Sequence, residues 1–290
     1  MPIHTQRVGA ILRASLLTMA LGTAPLGSAA AAFNFVALGD TAYNGERDYP
    51  AYETLIDQIN ARDPAFSIHV GDIWGAGNCS DAHFERIDGF FARYTHPLVY
   101  TPGDNEWTDC DIAAMGGFDP NERLDHIRRL WFSEAKSLGA PAMDVVRQAD
   151  VSAAHARFVE NLRFERDAAN SAWLADSFRR AIDGDYAAVV VALHAEMFES
   201  EGNMLSPFAE TIRQLRLGAA RFEKPVLLIN GDSHGFVLDR PLYEARGESG
   251  TPANANIWRL EVFGAPEIGA VEVSVDPADP TVFSFKALRP

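Results

Sequence analysis

Positive charge is scarce in this chain: 25 Lys and Arg stand against 40 Asp and Glu, for a formal net charge of −15. So acidic a surface repels phosphate backbones and anionic headgroups, which argues against nucleic acid or a membrane surface as the main partner. An anionic substrate would need a local positive centre, and a bound metal is an economical source of one. Cysteine is scarcer still, with two in 290 residues, which excludes a disulfide-built scaffold. No run beyond the first thirty residues approaches the roughly 18 to 20 apolar positions that a membrane-crossing helix needs. Internal repeats, low-complexity tracts and a linker that would divide the chain are also missing. What remains is the balance of a packed globular protein, 47% hydrophobic and 22% charged.

The start reads as a targeting segment. Arg7 and Arg13 precede an uncharged apolar stretch, Ala14 to Gly27, and Ser28-Ala29-Ala30-Ala31-Ala32 offers A-x-A cleavage choices before Phe33. A signal peptide over 1–32 is expected, followed by one domain over 33–290 and export to the periplasm or beyond. The arginines are not adjacent and no cysteine follows the cleavage region, so neither a twin-arginine signal nor a lipid anchor is expected. In an oxidising compartment the even pair Cys79 and Cys110 is expected to form a disulfide.

Apolar runs rich in β-branched residues recur at Phe33–Leu38, Phe66–Val70, Leu98–Thr101, Ala188–Leu193 and Val226–Asn230. Their unbroken apolar character predicts strands buried on both faces. Helical patterns fall at Tyr49–Arg62, Asp81–Tyr94, Glu122–Ser133, Ser152–Arg163, Ala172–Ile182 and Ser206–Arg221, so a wound sheet with helices outside is expected. At the end, Ile257–Phe263, Val271–Val275 and Val282–Leu288 read as three strands forming an antiparallel addition. From Pro102 to about Tyr186 no strand pattern is found, and the stretch reads as a mostly helical excursion.

Four of the five strand candidates end at or near a Gly-Asp pair, namely Gly39-Asp40, Gly71-Asp72, Gly103-Asp104 and Gly231-Asp232; the fifth ends at His194. Ligands of wound sheets gather at the carboxyl ends of strands, so these carboxylates and His194 are expected to converge with His234. Like charges brought together cost free energy unless cations neutralise them, so the pattern calls for metal.

These motifs, in this order, resemble those of the calcineurin-like metallophosphoesterases, the family that includes the purple acid phosphatases. Gly39-Asp40-Thr41-Ala42-Tyr43 is similar to its first aspartate motif and Gly71-Asp72 to its second. Gly103-Asp104-Asn105-Glu106 is similar to G-N-H-[DE], His194 to the isolated strand-end histidine, and Gly231-Asp232-Ser233-His234 to G-H-x-H. The resemblance implies a layered α/β/β/α sandwich with mixed sheets. It also implies two divalent ions, Mn²⁺ or Mg²⁺ first on donor chemistry, with iron, Ca²⁺ or Zn²⁺ as alternatives. Asp40, Asp72 and His234 would hold one ion, and Asp72, Asp104 or Asn105, His194 and Asp232 the other. Asn105 and His194 would form the catalytic set, acting on a small phosphorylated substrate.

The chain also departs from the family pattern. Ala42 stands where a histidine often follows the first Asp, Asp232 replaces the first histidine of G-H-x-H, and in an ungapped alignment Asn105 replaces the catalytic histidine. Tyr43, Trp74 and Trp107 follow the motifs closely and are candidates for the substrate wall. His69 reads as a core residue, and His83, His126 and His155 as solvated helix faces. His96 would reach the pocket rim only if its loop folds back. Two functions are carried forward: an exported metal-dependent phosphoesterase, and a member of the same fold that binds without catalysis.

Overall fold

In the computed structural model the described residues are 31–75, 77–147, 163–198, 208–242 and 254–290. The expected signal segment, the expected helix Ser152–Arg163 and His155 lie outside them, apart from the ends of those ranges. The elements are β1 (Phe33–Leu38), α1 (Tyr49–Asn60), β2 (Ser67–His69), α2 (Asp81–Phe91), β3 (Pro97–Tyr100), α3 (Pro120–Trp131) and β4 (Leu138–Gly139). They continue with α4 (Arg163–Asp183), β5 (Val189–Ala192), α5 (Ala209–Phe222), β6 (Val226–Asn230), β7 (Val237–Asp239), β8 (Ile257–Glu261), β9 (Ala270–Val275) and β10 (Phe283–Leu288).

Two mixed sheets form, ordered β10-β9-β1-β2-β3-β4 and β5-β6-β8-β7. Strands β1, β2 and β3 run parallel, as do β5, β6 and β8. The runs of β1 and β6 are apolar toward both faces because each of these strands serves two cores. Along β1, Val36 and Leu38 face the core under α1, α2 and α3, while Phe35 and Ala37 face the core between the sheets. Along β6, Leu227 and Ile229 enter that same central core, and Val226 and Leu228 pack against α4 and α5. Successive side chains of a strand point to opposite faces, so helix, sheet, sheet and helix stack as four layers. This is the α/β/β/α sandwich that the resemblance implies.

Three expectations need correction. The last three strand candidates do not act together: β9 and β10 add antiparallel to the first sheet, but β8 joins the second sheet parallel to β6. The short strand β7, antiparallel to β8, is additional. Within the region expected to lack strands, β4 pairs antiparallel with β3 through Pro97↔Gly139 and Leu98↔Leu138. Two residues are too short a run to leave a periodic trace in the sequence.

Cys79 and Cys110 are bonded, with Cα atoms 5.7 Å apart, joining the loops that follow β2 and β3. Both sulfurs are buried and lie 3.6 Å from the Asn105 carbonyl oxygen. Because the bridge closes a span of 31 residues, replacing both cysteines with alanine should cost roughly 3 to 4 kcal/mol by the chain-entropy relation. Chemical denaturation of the two proteins checks this, and a loss under about 1 kcal/mol would show that packing alone holds the loops.

Candidate metal centre

Parallel alignment of β1, β2 and β3 sets their carboxyl ends side by side, and the second sheet turns β5 and β6 toward the same crevice. The Asp40 amide donates to the Gly71 carbonyl at 2.9 Å and the Gly231 amide to the His194 carbonyl at 2.9 Å, tying neighbouring strand ends within each sheet. Between sheets, the Asp232 amide donates to Asp40 Oδ1 at 3.1 Å. The Gly-Asp pairs have a steric reason. A Cβ on Gly103 would collide with Asp72 Oδ1, and one on Gly231 with Asp40 Oδ2. Only glycine lets the backbone approach these carboxylates so closely. Asp40, Asp72, Asp232 and His234 all adopt positive φ, at 49°, 50°, 80° and 64°. Such conformations cost free energy and cluster where function demands them.

Two groups of donors result: Asp40, Asp72 and His234, and Asp72, Asp104 and His194, each with its ligand atoms within 4.8 Å of one another. Asp72 belongs to both. His194 Nε2 lies 3.1 Å from Asp104 Oδ1, 3.4 Å from Asp72 Oδ1 and 4.0 Å from Asp232 Oδ1. Its Nδ1 faces the Val70 carbonyl oxygen at 2.9 Å. A carbonyl can only accept, so Nδ1 carries a proton and Nε2 is the atom left to face a metal. Asp40 and Asp72 are buried, whereas the Asp104 and Asp232 side chains are 48% and 41% exposed, so the cluster opens from a sealed floor to a solvated mouth. Carboxylates crowded at this depth, with imidazole nitrogens turned toward them, suit divalent cations.

Of the two candidates in the third motif, Asp104 is the one whose carboxylate joins His194 and Asp72. Asn105 turns its amide nitrogen to Asp72 Oδ2 at 2.7 Å and to the Tyr43 hydroxyl at 3.2 Å. Asp232 lies at the edge of the cluster, with Oδ2 accepting from the Glu196 amide at 2.9 Å. Glu196 is in turn held by Arg259, whose guanidinium is 3.0 Å from Glu196 Oε2 and 2.7 Å from Asp239 Oδ2.

Among the aromatic candidates, Tyr43 reaches the centre, with its ring edge-on to His234 at 4.4 Å between centroids. Trp74 does not: it is 1% exposed and packs against Phe84 and His83. It stands close to Asp72 in sequence, but its side chain points into the helix-side core. Trp107 is half-buried against that same core. His69 is fully buried, with Nε2 3.2 Å from the Thr41 carbonyl oxygen, as a core role requires. His96 is held by Ser67 Oγ at 2.7 Å, at the opposite end of β2 from Asp72. His83 and His126 are not solvated faces; both are half-buried with rings against Trp74 and Phe84.

Glu106 is the site residue that sequence reasoning gave no role. It is fully buried, and its carboxylate accepts from the amides of Ile73 at 2.7 Å, Asp72 at 3.1 Å and Gly103 at 2.5 Å. It therefore pins the Asp72 turn to the Asp104 turn. Its position as the acid of the third motif was the available signal, but the three amides meet it only in the fold.

Burial pushes the Asp40 carboxyl up to about 7, although the His194 charge opposes the rise. Burial raises Asp72 as well, reinforced by the charge on Glu106. Burial lowers His194, but its hydrogen bond to Asp104 and the charges of Asp72, Asp40 and Glu106 outweigh that and raise it to about 10. The folded metal-free chain thus holds extra protons on Asp40 between 3.8 and about 7, and on His194 between 6.5 and about 10. Its stability falls as pH rises through those windows. His69, lowered to about 4 by burial, has the opposite slope up to 6.5, so the net fall is clearest above that point. A divalent ion held by these donors would take the place of these protons. Stabilisation by Mn²⁺ should therefore grow as pH rises above 6.5, and affinity should climb about tenfold per pH unit for each proton displaced. Thermal melts with and without Mn²⁺ across pH check this, and a pH-independent shift would contradict it.

No sequence model of a protein family and no curated protein sequence matches this chain. Solved structures do resemble it. GAP50, the anchor in the inner membrane complex of Plasmodium, matches over 89% of this chain and 89% of its own, at 12% identity and a TM-score of 0.51. A dimetal phosphatase from Danio rerio matches over 89% of this chain and 98% of its own, at 10% identity and a TM-score of 0.45. A 5'-nucleotidase from Candida albicans SC5314 matches over 88% of this chain and 50% of its own, at 12% identity and a TM-score of 0.45. At these identities the likeness concerns the fold. The layered arrangement of two mixed sheets is thus shared with GAP50 over most of both chains.

Proposed function

We propose that this chain is a metal-dependent phosphoesterase acting on small phosphate mono- or diesters. The observation that carries the reading is the pair of donor groups sharing the buried Asp72 in one crevice. When bound, two divalent ions would supply a nucleophilic water at neutral pH and the positive charge that this acidic chain otherwise lacks. Oxygen-rich donors favour Mn²⁺ or Mg²⁺. Asp72 would bridge, Asp40 and His234 would complete one side, and Asp104 and His194 the other, with Asp232 within reach. Glu106 fixes the turns that present Asp72 and Asp104. Both amide protons of Asn105 are taken by Asp72 and Tyr43, and the Tyr43 hydroxyl, accepting from Asn105, keeps its own proton to donate to a phosphoryl oxygen.

Export is part of the proposal. It is supported by the leader pattern before Phe33 and by the Cys79–Cys110 bridge. A second reading, a binding protein built on the same fold, is favoured by one feature: Asn105 stands where the family's catalytic histidine does. Metal analysis of purified protein, coupled to hydrolysis of an aryl phosphate and an aryl phosphodiester under Mn²⁺, separates the two. Bound metal with turnover supports the first reading; bound metal and phosphate binding without turnover supports the second.

A further inference from the structure

Phe236 stands two residues past His234 and exposes 43% of its surface. Its ring is stacked on Phe263 at 4.4 Å between centroids and 12° between planes, and Phe263 is itself buried at 2% exposure. Phe263 follows the carboxyl end of β8, on the same edge as Asp232 at the end of β6. Its neighbour Gly264 is pressed so close to Asp40 and His234 that a Cβ there would fall 2.8 Å from Asp40 Cβ and 2.7 Å from His234 Cα. The Arg289 guanidinium lies 4.5 Å from the Phe263 centroid. Phe236 is thus a planar ring stacked on a buried base and partly open to solvent. Two residues span at most about 7 Å, so the Phe236 backbone stays within that distance of the His234 backbone. Leu238, two positions on, is 38% exposed and extends the apolar surface along β7.

A second observation bears on the same question. Asn105 cannot deliver a proton to a departing oxygen, which favours leaving groups that depart as stable anions. Aryl oxides do so readily and alkoxides do not.

Resting on the phosphoesterase reading, we infer that the substrate class is phosphate esters of planar aromatic alcohols, with Phe236 as the specificity-determining residue that stacks on the leaving group. In the hydrolysis, a water oxygen forms the new bond to phosphorus and releases a proton to solvent. The bond between phosphorus and the aryl oxygen breaks, its electron pair leaves on the aryl oxide, and solvent later protonates it. Offset stacking of one further ring supports a preference of roughly tenfold for an aromatic substituent over a methyl group.

Calorimetric titration of the Mn²⁺-loaded protein with phenylphosphonate and methylphosphonate tests this without turnover. The unmodified protein should bind phenylphosphonate roughly tenfold more tightly. Phe236→Ala should erase that preference while leaving methylphosphonate affinity unchanged, and Phe236→Trp should retain it. Equal affinities in the unmodified protein, or a preference that survives Phe236→Ala, would overturn the inference alone. Failure of both phosphonates to bind the Mn²⁺-loaded protein would overturn the phosphoesterase reading and this inference with it.

Discussion

Asp72→Asn should abolish high-affinity metal binding and, with it, phosphoester hydrolysis. Asp72 is the one side chain common to both donor groups, so its neutralisation removes charge from both ions at once. Loss of an outer-shell partner typically weakens a metal site about 10- to 100-fold, and loss of the shared carboxylate should exceed that. If metal supplies several kcal/mol of charge stabilisation, the rate should fall about a thousandfold or more. The same substitution should act in the opposite sense on the metal-free protein. It removes a buried carboxylate that burial and Glu106 disfavour in its charged form, so the fall of stability with rising pH should flatten. Calorimetric Mn²⁺ titration and metal-free melts across pH read the two effects separately. Retained Mn²⁺ affinity in a folded Asp72→Asn protein would contradict the shared-ligand geometry.

The second large effect concerns the leaving group. Asn105 is committed to Asp72 Oδ2 and the Tyr43 hydroxyl, and an amide cannot serve as a general acid. General acid assistance is typically worth about a hundredfold to ten-thousandfold, and this chain should lack it at that position. Rates should therefore fall steeply as leaving-group pKa rises, with alkyl monoesters far below aryl ones. Asn105→His should recover part of the alkyl rate while changing the aryl rate little. Equal rates on alkyl and aryl esters, with chemistry rate-limiting, would show that another group supplies the proton, and Tyr43 would be the first to examine.

Much of this centre was legible in the sequence because its geometry requires glycine. Where strand ends crowd together, the residue before each of the four aspartates must lack a Cβ, and Gly-Asp recurs after four apolar runs as a result. The strands were legible for a related reason: β1 and β6 serve a core on each face, so neither can alternate with polar residues. What stayed hidden depends on long-range placement. Glu106 looks like any acid in a turn until the fold delivers three amides to it. Trp74 was expected in the pocket because sequence proximity to Asp72 says nothing of which side of the sheet a ring takes. The parallel direction of β8 is set by pairing with β6, not by its own pattern. The two-residue β4 is anchored by Gly139, where a Cβ would collide with the His96 carbonyl oxygen. The histidines on α2 and α3 turned inward because α3 packs across α2 through Trp131 and Phe84.

The central claim is that Asp72 joins two metal sites in one centre. Titration of the purified protein with Mn²⁺, followed by electron paramagnetic resonance, tests it most directly. Two ions bridged by one carboxylate lie about 3.5 to 4 Å apart, close enough for their spins to couple. The prediction is two equivalents of Mn²⁺ taken up per chain with a spin-coupled spectrum that disappears in Asp72→Asn. Uptake of a single, magnetically isolated ion, or no uptake at all, would contradict it.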